Sequence, residues 1–288
     1  MTISASDIAK LRNSVGAGMM DCKTALEEAN GDMEKAAEIL RKKGIVKAAK
    51  RADKIAAEGT TTVKVSGNTA VIAEINSETD FVAGSDDFKK LVNDIVDELL
   101  AKKPANLDSA LSGGVNDKIA AVVGKIGEKI TLRRFAVVEK SDSEAFGDYL
   151  HMGGKISVLT VLTGTNDSAL AREVGMHAAA AFPRFLNRTE VPAEILDKEK
   201  EIASVQLKAQ NKPANIIENI LKGKMEKFYT DVCLVDQPYI KDEEKSVAKF
   251  LESKGAGIVV KQYVRYELGE GIEKKSTDFA AEVAEQMK

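Results

Sequence analysis

The sequence has no tryptophan, two cysteines, two histidines and five prolines, and aromatic residues make up 5% of its 288 positions. Each shortage excludes something. Cys22 and Cys233 stand far apart and form no CxxC pair. That argues against a disulfide framework and fits a reducing, cytoplasmic setting. His151 and His177 have no cysteine beside them and no metal-ligand spacing, so no metal site is expected. No apolar run approaches the length of a membrane span, so no membrane insertion is expected. The opening MTISASDIAKLRNSVG lacks the apolar core of a signal peptide. With so few aromatics, helices must pack mainly through Ala, Leu, Ile and Val. The net charge of −3 gives no global attraction to nucleic acid or anionic lipid.

What is present is globular: 44% hydrophobic and 30% charged residues, in a chain long enough for about two domains. Ile8, Leu11 and Val15 share one helix face, and the Gly-Ala-Gly at 16–18 ends that helix. Cys22, Ala25, Leu26 and Ala29 restart the period, and Asn30-Gly31 supplies a left-handed stop. Asp32 then caps a third helix, MEKAAEILRKK, expected to end at Gly44, with a helical linker from Ile45 to Gly59. The periodicity next changes to strands. TTTVKV and TAVIAEI flank the turn Ser66-Gly67-Asn68. Ser85 caps a helix whose stripe is Phe88, Leu91, Val92, Ile95, Val96, Leu99 and Leu100. A helix over 115–126 and a strand KITLRRFAVVE follow.

Hairpin and helix then recur: two strands around Met152-Gly153-Gly154, and a helix from Asp167 to Ala181. Residues 190–229 read as two helical runs, begun near Pro192 and Pro213, with Ile217, Leu221, Met225 and Phe228 on one face. Such a hairpin either packs only on itself or projects for self-association or a partner. VCLVDQPYI and GIVVKQYVRYE read as strands around a helix EEKSVAKFLESKG, and STDFAAEVAEQMK as a short terminal helix. The fold class is α+β.

Enzymatic motifs fail on inspection. GGKIS resembles the end of a phosphate loop, but Tyr149 stands where its first glycine belongs and Ile156 where the Mg²⁺ ligand belongs. GEG at 269–271 lacks its third glycine, Lys274 standing there. His177, in an Ala-rich helix, is read as structural or solvent-facing. Seven basic residues between Arg41 and Lys54 oppose only Asp53. They have no aromatic partners for stacking and read as a charged helical face. What stands out is apolar residues where a core is out of reach. Met19 and Met20 follow the glycine break, and Phe81 sits on the acidic stretch SETDFVAGSDDF between strand and helix. Such anchors fit a protein-binding surface.

GAGMMDCKTALEEANGD, ETDFVA, GKIGEKITLRR and VRYELGEGIEKKSTDFAAEVA occur in this order, and together they resemble the bacterial translation elongation factor Ts family. The resemblance implies five parts: a UBA-like three-helix module over 1–54, core subdomains over 55–140 and over 141–189 with 230–268, an inserted coiled-coil-like dimerisation hairpin over 190–229, and a C-terminal module over 269–288. It implies a guanine-nucleotide exchange factor for elongation factor Tu, with no covalent chemistry, no cofactor and no direct nucleotide binding. Thr79, Asp80, Phe81 and Val82 would form the wedge that disturbs the partner's Mg²⁺ site. Met19, Met20, Lys23, Ile126 and Gly127 would touch its G domain, and His151 and Ile240 its third domain. Lys241 stands where family members can carry an apolar residue.

Overall fold

The computed structural model describes residues 3–208 and 214–273. The chain divides into two compact units. One takes in the chain up to Thr61, Ala73–Val137 and the chain from Glu267, and the other Thr62–Ile72 and Val138–Tyr266.

The first unit begins with three helices, α1 (Ala5–Val15), α2 (Met19–Glu28) and α3 (Met33–Lys50). Their stops and starts are set by local chemistry. Ser4 accepts the Asp7 N–H to open α1, and Gly16 closes it in the left-handed region at φ 70°. Asn30 and Gly31 hold φ 51° and 85° between α2 and α3, and Asp32 accepts the N–H groups of Glu34 and Lys35. Leu11, Cys22, Ala25, Leu26, Ala29 and Ala36 form the core. Alanine and the small Cys22 allow helices this short to approach closely.

One expectation fails here: α3 does not stop at Gly44 but runs on to Lys50. Gly44 is buried, and a Cβ on it would lie 2.8 Å from the Ala120 carbonyl oxygen. A Cβ on Gly124 would lie 3.1 Å from the Gly44 Cα. The glycine lets two helices touch backbone to backbone; it does not end one. Ion pairs line the seam: Arg41–Asp117 at 2.5 Å, and Lys47–Asp21 at 3.1 Å within the bundle. The basic face read from the sequence is thus partly neutralised.

Strands β1 (Glu58–Ser66) and β2 (Thr69–Ser77) precede α4 (Asp80–Gly84), α5 (Asp86–Lys102), α6 (Leu107–Ala110) and α7 (Asn116–Ile126). Strand β3 (Ile130–Glu139) then completes a sheet of order β1-β2-β3. Central β2 is buried from Ala70 to Ser77, polar Glu74, Asn76 and Ser77 included. The predicted stripe on α5 is buried from Phe88 to Leu99, with Leu100 half-buried at its edge.

The second unit repeats hairpin then helix. β4 (Ala145–His151) pairs antiparallel with β5 (Ile156–Thr163), Gly147 facing Thr160, and α8 (Ser168–Ala181) follows, capped by Asp167. Gly147 has a specific reason: a Cβ there would lie 2.1 Å from the Ala171 carbonyl carbon. Helix α8 therefore rides directly on β4, and the Thr160 hydroxyl donates to the Ala171 carbonyl at 2.7 Å.

Helices α9 (Ala193–Lys208) and α10 (Ala214–Val232) form the predicted hairpin, with Ile217, Leu221, Met225 and Phe228 all half-buried. Its base is fixed by Val191, Val232 and Cys233 packed with Phe185, Ile195, Leu196, Phe228 and Tyr229. Pro213, read as a helix start, lies outside the described residues, as does the terminal helix read over STDFAAEVAEQMK.

Two further expectations are corrected beyond the hairpin. VCLVDQPYI is not one strand: α10 ends at Val232, Cys233 makes an isolated bridge to Phe185, and only β6 (Pro238–Tyr239) is extended. The Asp242–Ser246 stretch is β7, paired with β6, and α11 begins at Val247 (Val247–Lys254). The charged EEK favours helix by composition, but the Ser246 side chain accepts the Lys249 N–H, which places the cap after it. Strand β8 (Val259–Glu267) returns beside β5, as expected, giving the order β4-β5-β8.

Candidate functional site

The acidic stretch after β2 is a one-turn helix and not an open turn. Thr79 is the N-cap of α4 and accepts the Val82 N–H at 3.3 Å. Ser85 then serves twice. Its backbone N–H donates to the Val82 carbonyl, closing α4, and its hydroxyl accepts the Phe88 N–H at 3.3 Å, opening α5. Two caps six residues apart force a sharp bend between two helices. On the short helix Val82 faces inward and is buried, while Phe81 is 87% exposed. Asp80 is exposed beside it.

Two glutamates hold this bend from outside. Glu128 accepts the Thr79 hydroxyl at 2.8 Å and the Thr79 N–H at 3.1 Å. Glu78 accepts the Lys129 N–H and an Arg51 guanidinium N–H, both at 2.6 Å. The Thr79 bond sets the start of α4 beside the Ile126–Gly127 corner. There α7 ends with Gly127 at φ 82°, its N–H on the Val123 carbonyl at 2.8 Å. Ile126 is half-buried.

Met19 and Met20 open α2 and are 55% and 69% exposed. Lys23, one turn on, pairs loosely with Glu27 at 3.8 Å. Lys125 joins this region to the bend. Its aliphatic chain lies 3.3 Å from a Cβ built on Gly16, and its ammonium donates to Asp87 at 2.7 Å.

In the second unit, His151 ends β4 and is half-buried, its ring stacked at 6.0 Å on Tyr149. Leu150 and Met152 on either side are exposed. Ile240 sits in the β6–β7 turn, and helix α8 holds that turn by three bonds. His177 Nδ1 accepts the Ile240 N–H at 3.3 Å, and Glu173 accepts the Tyr239 hydroxyl at 3.0 Å and the Lys241 ammonium at 3.1 Å. His177 is fully buried and hydrogen-bonded to Gln237 at 3.1 Å, so of its two predicted roles the structural one applies. Burial pushes its pKa down, which keeps Nδ1 an acceptor.

The supporting residues Glu78, Glu128, Arg51, Glu173 and His177 were not singled out in the sequence as parts of a site. Their partners lie 27 to 68 residues away. No spacing rule finds such pairs. Among the described residues no group of three His, Cys, Asp or Glu side chains could hold a metal. No described helix is long and apolar enough to cross a membrane. Both thiols are free and buried, and burial pushes that of Cys233 up to about 11.

Residues 78–270 match the family model described as elongation factor TS, two thirds of the chain. The chain belongs to that family. Membership implies a role in translation elongation as a nucleotide exchange factor for elongation factor Tu. The elongation factor Ts match begins at Glu78, one residue before the Thr79 cap. It takes in the bend, the Ile126–Gly127 corner, His151 and Ile240. Met19, Met20 and Lys23 precede it.

Proposed function

We propose that α4 is the exchange wedge: Asp80 and Phe81 enter the G domain of elongation factor Tu near its Mg²⁺ site and weaken GDP binding. The observation that carries this reading is Phe81, 87% exposed on a helix that is capped, closed and tied down around it. An aromatic costs solvation there unless a partner covers it, and Val82 already takes the inward position of the helix. Mg²⁺ bridges nucleotide phosphates to the G domain, so disturbing its ligands loosens the nucleotide.

One wedge does not suffice. Burying a Phe yields about 1.5–3 kcal/mol. A ten-thousandfold weakening of GDP needs about 5.5 kcal/mol of coupling. Ile126 and Gly127 press beside the wedge in this reading, Met19, Met20 and Lys23 anchor a UBA-like N-terminal module on the G domain, and His151 and Ile240 grip the third domain. Lys241 is tied to Glu173 and leaves Ile240 as the apolar contact of its turn. The hairpin of α9 and α10, with Ile202 and Val205 exposed, serves self-association, and the chain after 269 forms a further contact module. The protein binds no nucleotide itself and works in the cytoplasm, where elongation runs.

Coupling is reciprocal, so the protein should bind nucleotide-free elongation factor Tu most tightly, and GDP should weaken it by the same factor by which it weakens GDP. The test is release of a fluorescent GDP analogue from elongation factor Tu with and without this protein. Faster release, with no signal from the analogue and this protein alone, supports the reading. Unchanged release overturns it.

The methionine pair yields a separate expectation. Met19→Ala with Met20→Ala should weaken association by about 1–2 kcal/mol, as for modest interface anchors. Both side chains are exposed, so the helical signal and melting temperature should stay as they are. Calorimetric titration against nucleotide-free partner, with circular dichroism on the same samples, checks this. A melted N-terminal bundle would make the pair part of its core.

A further inference from the structure

We propose that Glu128 is a positioning residue of the exchange helix, locking α4 and the Ile126–Gly127 corner into one rigid device. The inference rests on the wedge reading above and adds a residue to it.

The geometry is reciprocal. The Thr79 hydroxyl has one proton and two lone pairs. It donates to Glu128, at 2.8 Å to Oε1 and 3.1 Å to Oε2, and so its lone pairs are left facing the start of α4, where the Val82 N–H donates to it. The Thr79 backbone N–H also goes to Oε2 at 3.1 Å. One carboxylate therefore takes both donors of the cap residue and orients the oxygen that begins the helix. Without it, the hydroxyl proton is free to rotate toward water and the cap is set only part of the time.

Glu128 is itself fixed by its place in the chain. It follows Gly127, whose left-handed backbone ends α7, and precedes Lys129, whose N–H is held by Glu78. Glu78 in turn precedes Thr79. The four consecutive-pair residues thus cross-link: Glu78 to Lys129, and Thr79 to Glu128. A two-way clasp of this kind resists hinge motion about either segment. The clasp matters because α4 is a single turn of five residues, far too short to hold its shape by its own hydrogen bonds. A wedge that yields on contact transmits less of the binding energy to the partner's metal site.

The test uses the full chain with Glu128→Ala and Glu128→Gln. Amide hydrogen exchange over 79–84 reads the clasp directly. GDP release at saturating factor, and the factor concentration for half-maximal release, read its use. Glu128→Ala should speed exchange of the Val82 amide and slow saturated release about fivefold, the population change of a lost helix cap, with the half-maximal concentration little changed. Glu128→Gln keeps an acceptor for the hydroxyl and should stay within about twofold of the parent. In a Phe81→Ala background the Glu128→Ala effect on release should vanish, because a positioning residue has nothing left to position.

Unchanged Val82 amide exchange in a folded Glu128→Ala protein would overturn the clasp. Faster amide exchange with full release rate, or an equal loss with and without Phe81, would overturn its role in positioning the wedge. If Phe81→Ala alone releases GDP at the full rate, the wedge reading falls instead, and amide exchange still decides the clasp.

Discussion

Replacing Phe81 with alanine should slow GDP release from elongation factor Tu by at least about tenfold, because about 1.4 kcal/mol or more of coupling is lost. The same change should alter folded stability by less than about 1 kcal/mol, as at a surface position. The two halves of this expectation come from one fact. Phe81 is 87% exposed, so it contributes almost nothing to its own core. The α4 caps Thr79 and Ser85, the inward Val82 and the α5 stripe from Phe88 all survive the substitution. Were Phe81 core, its loss would cost about 3–5 kcal/mol. Asp80→Ala should act in the same direction, and the double variant should lose less than the two singles combined, since neighbours in one contact couple. Urea midpoints and release of a fluorescent GDP analogue, on the same preparations, check both halves. A Phe81→Ala protein that is much less stable but exchanges at the parent rate per folded molecule would end this account.

Much of the local structure was legible because single residues dictate it. Asp32 and Ser85 cap the helices that the sequence assigns them, and Asn30-Gly31 turns where a left-handed pair must. The α5 stripe is visible from its period alone. The failures share a cause: the deciding partner is distant in sequence. Gly44 reads as a stop until Gly124 and Ala120 are seen against it. Residues 243–246 read as helix until the strand that contains them is seen paired with β6. Phe81 and the methionine pair could be singled out because exposure of an apolar residue in a polar stretch is a local anomaly. The residues that hold them were silent. Glu128 looks like any surface acid, yet it holds the cap residue of a helix 49 positions away. Glu74 looks like the polar member of an alternating strand, yet it is fully buried.

Substituting Glu74 should have the largest effect on stability of any change proposed for the first unit. Its carboxylate sits in central β2 with no exposure. Oε1 accepts from Arg133 at 2.9 Å, Asn76 at 3.1 Å and the Gly269 N–H at 2.8 Å, and Oε2 from Arg134 Nε at 2.6 Å. Arg134 continues to the Glu267 carbonyl at 3.0 Å and Glu270 at 2.9 Å, and Arg133 to the Glu270 carbonyl. One buried acid thus ties β2 and β3 to the loop after β8. Burial alone would raise its pKa, but the Gly269 N–H and the two guanidinium groups outweigh it and hold the carboxyl below its ordinary range. Glu74→Gln keeps the volume and removes the charge, leaving Arg133 and Arg134 facing an amide. Breaking a buried pair from one side costs about 3–5 kcal/mol. The lower end applies here, because the two arginine side chains are 28% and 30% exposed and reach water. The pH dependence has a definite sign. A carboxyl whose folded pKa is depressed adds stability that is fully present above its unfolded pKa, near 4.3, and is lost as pH falls through the folded value. The gap between parent and Glu74→Gln should therefore be constant from about pH 7 to pH 5 and narrow below about pH 4. Urea unfolding across that range measures it, and amide exchange at Gly269 should quicken in the variant. A gap under about 1 kcal/mol at pH 7, or one that stays constant down to pH 3, would mean that the carboxylate is not what holds this junction.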